Sequence, residues 1–184
     1  MIDSANVKKT IMVILITYAV TISSIQLIAP SKETTQMPER CPENSANCAR
    51  VAHDGTNYRI ENIEPLTINA SSTEVQIEIE KWLEEQLSGG VLYSNNDENN
   101  LTFIHGVTRT SFLFFPDDLY AEISCDLNDK SVVALQSQSR LGMGDLGKNP
   151  ERLNELTDYL NKIKWSGNSC TNWIQIINKI LWRD

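Results

Sequence analysis

The strongest constraint on this chain lies at its amino end. Lys8 and Lys9 precede a run from Ile11 to Ala29, 19 residues without a charged side chain. As a helix the run extends roughly 28 Å at 1.5 Å per residue, close to the ~30 Å hydrocarbon core of a bilayer. Nothing polar recurs at helical spacing before Thr17, which disfavours an amphipathic helix of a soluble core. The lysine pair predicts that this end stays in the cytoplasm and that everything after Pro30 is exported. Residues 1–30 are therefore read as a signal anchor or a signal peptide. The apolar heart, Ile11 to Val20, has signal-peptide length. However, Leu27-Ile28-Ala29 puts a bulky residue at the third position back from a cut, and Pro30 would follow it. The balance favours a retained transmembrane helix with the domain on the extracytoplasmic side. Cleavage would instead release the domain into a periplasm or lumen.

The exported part is acidic. The whole chain carries 16 Lys+Arg against 24 Asp+Glu, a net of -8; removing Lys8, Lys9 and Asp3 leaves 14 against 23. That balance argues against a nucleic-acid partner, which requires a basic face to displace phosphate counterions. It also lacks a polybasic patch for anionic lipid. Apolar residues make up 41% of the 184-residue chain, enough for one folded core and an anchor.

Export changes the reading of the cysteines. In an oxidising compartment Cys41, Cys48, Cys125 and Cys170 are expected to pair, with three connectivities open. A zinc site is disfavoured because no Cys-x-x-Cys exists and only His53 and His105 could complete one. The short loop between Cys41 and Cys48, with Pro42 turning the chain, predicts a bridge there. Cys125 falls on the apolar side of a strand, which predicts a buried thiol rather than a bridge to Cys170.

Residues 31–40 are polar and aperiodic, a linker from membrane to domain. The domain is expected over 41–165. Tyr58 to Ile68 reads as extended chain. Ser71-Ser72-Thr73-Glu74 is a capping box, followed by Val75, Ile79, Trp82, Leu83 and Leu87 at helical spacing and a Gly89-Gly90 stop. Strands follow at Val91–Ser94, Leu101–Thr108, Phe112–Phe115, Leu119–Leu127 and Ser131–Ser139, the last two joined by a tight turn at Asn128-Asp129. Asn149-Pro150-Glu151 starts a second helix with Asn149 as N-cap and a stripe of Leu153, Leu156, Leu160 and Ile163. Residues 166–184 read as a C-terminal amphipathic helix, Trp173 to Trp182, packed on the domain. The order predicts an α+β fold: an antiparallel four- to five-stranded sheet with helices on one face.

Residues 142–147, Gly-Met-Gly-Asp-Leu-Gly, formally match a dinucleotide fingerprint. The context excludes it, because the preceding strand is the second arm of a hairpin and not the start of a βαβ unit. No cofactor is expected, and the glycines are read as serving a loop with unusual backbone angles. A lone His105 on the face of Leu101, Phe103 and Val107 reads as a half-buried strand residue, not a general base. Asp117 and Asp118 are neighbours along extended chain, so they point to opposite faces and cannot share a proton. The hairpin predicts that a carboxylate, Asp117 or Asp118, reaches Arg140, with position numbers of paired residues summing to about 257. Arg109 approaches from the adjoining strand end, Arg152 lies in the first turn of the next helix, and Asp145 bonds loop amides. Arg109, Asp117, Asp118, Arg140, Asp145, Asn149 and Arg152 are thus the candidate ligand-binding residues, either as scaffold or as a polar pocket for an anionic or polyhydroxylated ligand.

These residues also carry a resemblance. Ser137-x-Ser139-Arg140-x-Gly142-x-x-Asp145-x-Gly147-x-Asn149-x-x-Arg152 resembles the signature of the family catalogued as domain of unknown function 1499. So do Phe-x-Phe-Phe-Pro-Asp117-Asp118 and Cys41-Pro42 with Asn47-Cys48. The resemblance covers roughly Cys41 to Leu160. It departs at Ala49-Arg50, where small and hydroxylated residues are usual, and at Pro116. It implies exported or membrane-associated proteins of bacteria and photosynthetic lineages and carries no established activity. The chain is read as a non-enzymatic module binding a small ligand or an envelope protein. The alternatives are a hydrolase-like enzyme using the Asp/Arg cluster, with or without a hard cation, and a structural assembly module.

Overall fold

Two-residue alternation in the second half of the chain builds the sheet, and apolar stripes at helical spacing supply its cover. The computed structural model describes residues 4–29, 34–61, 63–96 and 101–170. The carboxyl-terminal helix expected over Trp173 to Trp182 lies outside the described residues.

Helix α1 spans Ser4–Ile28; its stretch Ala5–Ile28 is long and apolar enough to cross a membrane and is almost bare of protein contacts. Strands β1 (Cys48–Val51), β2 (Leu66–Ile68), β3 (Gly90–Asn96), β4 (Thr102–Arg109), β5 (Pro116–Cys125) and β6 (Ser131–Ser139) form one antiparallel sheet. Its order is β1-β6-β5-β4-β3, with β2 also paired to β6. The sheet exceeds the expected four or five strands because Cys48–Val51 and Leu66–Ile68 share the outer edge of β6, one after the other. Helices α2 (Ser72–Glu85) and α3 (Lys148–Lys162) cover one face. The α+β architecture is as the sequence predicts.

The core lies between these helices and the sheet. Ile79 and Leu83 of α2 and Leu153, Leu156 and Leu160 of α3 are fully buried against Ile104, Leu119, Ile123 and Leu135. Gly106 makes the contact with α2 possible, because a Cβ there would sit 2.4 Å from a methyl group of Leu83. The opposite face carries a smaller cluster, in which Met37 packs on Phe103 and Tyr120. The segment expected to be a free linker therefore lies, in its described part, as a strap across the sheet. Its one apolar side chain gains a place there that helices do not fill.

Several local expectations are corrected. Phe112–Phe115 is not a strand but the turn between β4 and β5: Arg109 pairs with Pro116, and Phe114 at φ 55 breaks the extended chain. The capping box is half formed. Ser71 Oγ accepts from the Glu74 amide at 3.2 Å, but the Glu74 carboxylate accepts from Ser166. Helix α2 ends at Glu85, which leaves Leu87 outside its stripe and exposed. Gly147, at φ 83, is the N-cap of α3 in place of Asn149. Asp145 supplies the cap from outside, accepting from the amides of Gly147 at 2.9 Å and Asn149 at 3.3 Å.

Both cysteine pairs are bridged: Cys41 to Cys48 as expected, and Cys125 to Cys170 against expectation. Cys125 is the last residue of β5, where the helix layer no longer covers the sheet. The chain after α3 returns to this end, and the Cys170 amide donates to the Asp129 carbonyl at 2.9 Å. Cys125 itself is only half-buried, and it is Cys170 that is buried at the bridge, 2% exposed.

Candidate functional site

The β5–β6 hairpin closes through a five-residue loop, Asp126–Lys130, with the Asp126 amide bonded to the Lys130 carbonyl. That loop shifts the register by one from expectation. Asp117 faces Ser139 and Asp118 faces Gln138, so Arg140 lies diagonal to Asp118 on the same face. Neither carboxylate faces Arg140 directly. The diagonal still suffices for the long guanidinium: Nη2 and Nε reach Asp118 Oδ1 at 2.6 and 3.0 Å.

The two aspartates anchor separate clusters on opposite faces. Beneath the strap, Asp118 also accepts from His105 Nε2 at 2.8 Å. The Thr34 amide donates to His105 Nδ1 at 3.2 Å, which assigns the ring proton to Nε2. His105 is fully buried and stacks on Tyr120. Burial pushes the Asp118 carboxyl up, but bonds from His105 and Arg140 outweigh it and hold the group below the ordinary carboxylate range. Burial pushes the Tyr120 hydroxyl up to about 12. Arg50 completes this face. Its guanidinium donates to the Pro38 carbonyl at 2.6 Å and Gln136 Oε1 at 3.0 Å, tying strap to sheet.

Against the helices, Asp117 is buried and pairs with Arg152 Nη2 at 2.8 Å. Arg152 Nη1 donates to Ser137 Oγ and Asn149 Oδ1, both at 2.9 Å. Asn149 Nδ2 in turn donates to Asp145 Oδ2 at 2.7 Å and the Asn47 carbonyl at 2.8 Å. Arg59 grips Asp145 with both nitrogens, at 2.7 and 3.1 Å. Burial again raises the Asp145 carboxyl, and the Arg59, Gly147 and Asn149 bonds bring it below the ordinary range. Arg109 joins neither cluster; it donates to the Ser88 carbonyl.

Between the β4–β5 turn and the glycine loop lies a cleft of about 430 Å³. Its walls are mainly apolar, from Phe112, Leu113, Phe115, Leu141 and Leu146, and Asp117, Asp145 and Lys148 are the charged residues that also line it. Arg140 does not line it. The Cys41–Cys48 segment braces the loop from behind: Asn47 Nδ2 donates to the Gly142 carbonyl at 2.7 Å, and the Asp145 amide to the Ala46 carbonyl at 3.1 Å.

Residues 39–160 match the family model described as protein of unknown function (DUF1499). The chain belongs to the DUF1499 family. No curated protein and no solved structure matches it. The matched stretch of this DUF1499 chain contains the whole cleft and the aspartate and arginine side chains of both clusters, while α1, Thr34, Pro38 and Cys170 lie outside it. Arg59 was the residue least visible in the sequence. It sits at φ 50 after β1, and its carboxylate lies 86 residues away. Arg50 carried a weak signal, a charge between the apolar Ala49 and Val51.

Proposed function

We propose that α1 holds this DUF1499 domain on the extracytoplasmic side of a membrane, where it acts as a non-enzymatic module binding a small apolar molecule in the cleft. The observation that carries the reading is the cleft itself. Its volume of about 430 Å³ lies in the range of small-molecule sites, with mainly apolar walls and polar side chains among them. Its lining fits an apolar ligand better than an anionic or polyhydroxylated one. The bridged cysteines support the oxidising side. A hydrolase reading fits less well, since Asp117, Asp118 and Asp145 each engage an arginine, and so none of these three is poised as a base.

The test is to purify the full chain in detergent, extract it with organic solvent and identify co-purified molecules by mass spectrometry. Leu141→Trp fills the cleft from its wall. A near-stoichiometric apolar molecule should be recovered from the wild type and lost from Leu141→Trp, at unchanged Tm. Equal recovery from both proteins, or none from either, would overturn the reading.

A further inference from the structure

The rim of the cleft is unusually apolar for a surface in water. Phe112, Met143 and Leu146 stand 73%, 94% and 101% exposed at the tips of its two walls. Single exposed apolar side chains are ordinary, but a cluster at the mouth of a cavity marks a contact surface.

The β4–β5 turn lies along α1 in a definite direction. Gln26 Nε2 donates to the Phe114 carbonyl at 2.8 Å. Tyr18, about 12 Å nearer the amino end of the helix, donates its hydroxyl to the Phe112 carbonyl at 2.6 Å and packs its ring 5.6 Å from that of Phe112. The turn thus descends from the polar end of α1 toward the apolar Ile11–Val20 stretch, with Phe112 at its deepest point. Part of its backbone is paired within the protein, as entry into a lipid environment favours. Helix side chains take the Phe112 and Phe114 carbonyls, and Thr110 takes the Phe114 and Phe115 amides. The charged side chains lining the cleft are matched, Asp117 by Arg152, Asp145 by Arg59 and Lys148 by Glu151, so none presents an unpaired charge to hydrocarbon.

From these observations we propose that Phe112, Met143 and Leu146 enter the outer leaflet of the membrane that α1 crosses, and that the cleft receives a phospholipid acyl chain sideways from the bilayer. The proposal rests on the anchored-binding reading above and names its ligand. Apolar insertion drives the contact, because a chain of net charge -8 is repelled by anionic headgroups.

The test uses the full chain in phosphatidylcholine vesicles. Met143→Trp is compared with Leu127→Trp, which marks an exposed position at the opposite end of the β5–β6 hairpin. Bromine atoms high on the acyl chains should quench the fluorescence added by Met143→Trp several-fold more than that added by Leu127→Trp. Equal quenching overturns membrane entry. In a second arm, phosphatidylcholine bearing an acyl diazirine is photolysed. Crosslinks to Leu113 and Phe115 should fall several-fold in Leu141→Trp, while those to α1 persist. If these two residues take no crosslink, or if Leu141→Trp leaves their labelling unchanged, the acyl-chain proposal fails. Recovery of a ligand by solvent extraction would then still sustain the binding reading, with a ligand that arrives from water.

Discussion

Arg152 shows how a residue can look like a ligand contact and serve as a joint. It reaches Asp117, Ser137 and Asn149 at once, and the side chains of the Asp117 pair are 2% and 9% exposed. Breaking such a pair strands a buried charge. Arg152→Ala is expected to cost about 3–5 kcal/mol in urea denaturation, and Arg152→Met combined with Asp117→Asn distinctly less. Arg140→Ala is expected to destabilise by about 3 kcal/mol for the same reason. A Tm unchanged by that substitution would free Arg140 for a ligand role. Acid should act through the same carboxylates. Asp118 and Asp145 are held below their ordinary values, so their contribution is complete above about pH 4 and is lost as pH falls through the lowered folded values. Glu122, raised by burial, acts in the opposite sense: its contribution is present below the ordinary carboxylate value and is lost as pH rises through its raised one. Denaturation measured across pH should therefore show a steep acid limb, and Asp118→Asn should flatten it while lowering stability at neutral pH.

At the level of elements, the two bridges do different work. Cys41–Cys48 closes a separation of 7 residues behind the glycine loop, and Cys125–Cys170 one of 45 across the end of the sheet. In the chain-entropy model their removal costs about 2 and about 4 kcal/mol respectively. Alkylation under denaturing, non-reducing conditions should find all four thiols blocked. Free Cys125 and Cys170 would show that the segment after α3 does not close on the hairpin. The approach of α2 to β4 is tested by Gly106→Ala. Its methyl would collide with the buried Leu83, at an expected cost of about 1–3 kcal/mol by thermal or urea unfolding.

For the whole molecule the decisive question is which side of the membrane the sheet occupies. Lys8 and Lys9 before the uncharged run predict, on the reading proposed above, that the domain lies outside. Protease added to spheroplasts should digest it, with α1 retained in the membrane fraction. Protection until the inner membrane is lysed would reverse the topology and remove the oxidising compartment from the account of the cysteines.

Much of this molecule is determined locally. The uncharged run, the alternation of β5 and β6 and the leucine stripe of α3 each encode an element by a period that neighbouring residues enforce. Gly142 and Gly147 hold positive φ, a local backbone requirement that their glycine identity makes legible. Long-range partners were not legible. The Asp126–Lys130 loop shifted the hairpin by one residue, which sent Asp117 to Arg152 and left Asp118 to reach Arg140 diagonally. Arg59, Met37 and Cys170 found their places only when distant segments returned across the sheet. The cleft is of the same kind. Phe112, Leu141 and Leu146 look like ordinary apolar residues in the chain. They become a site because the tertiary structure leaves them facing one another with nothing between, and a sequence records side chains, not the space they enclose.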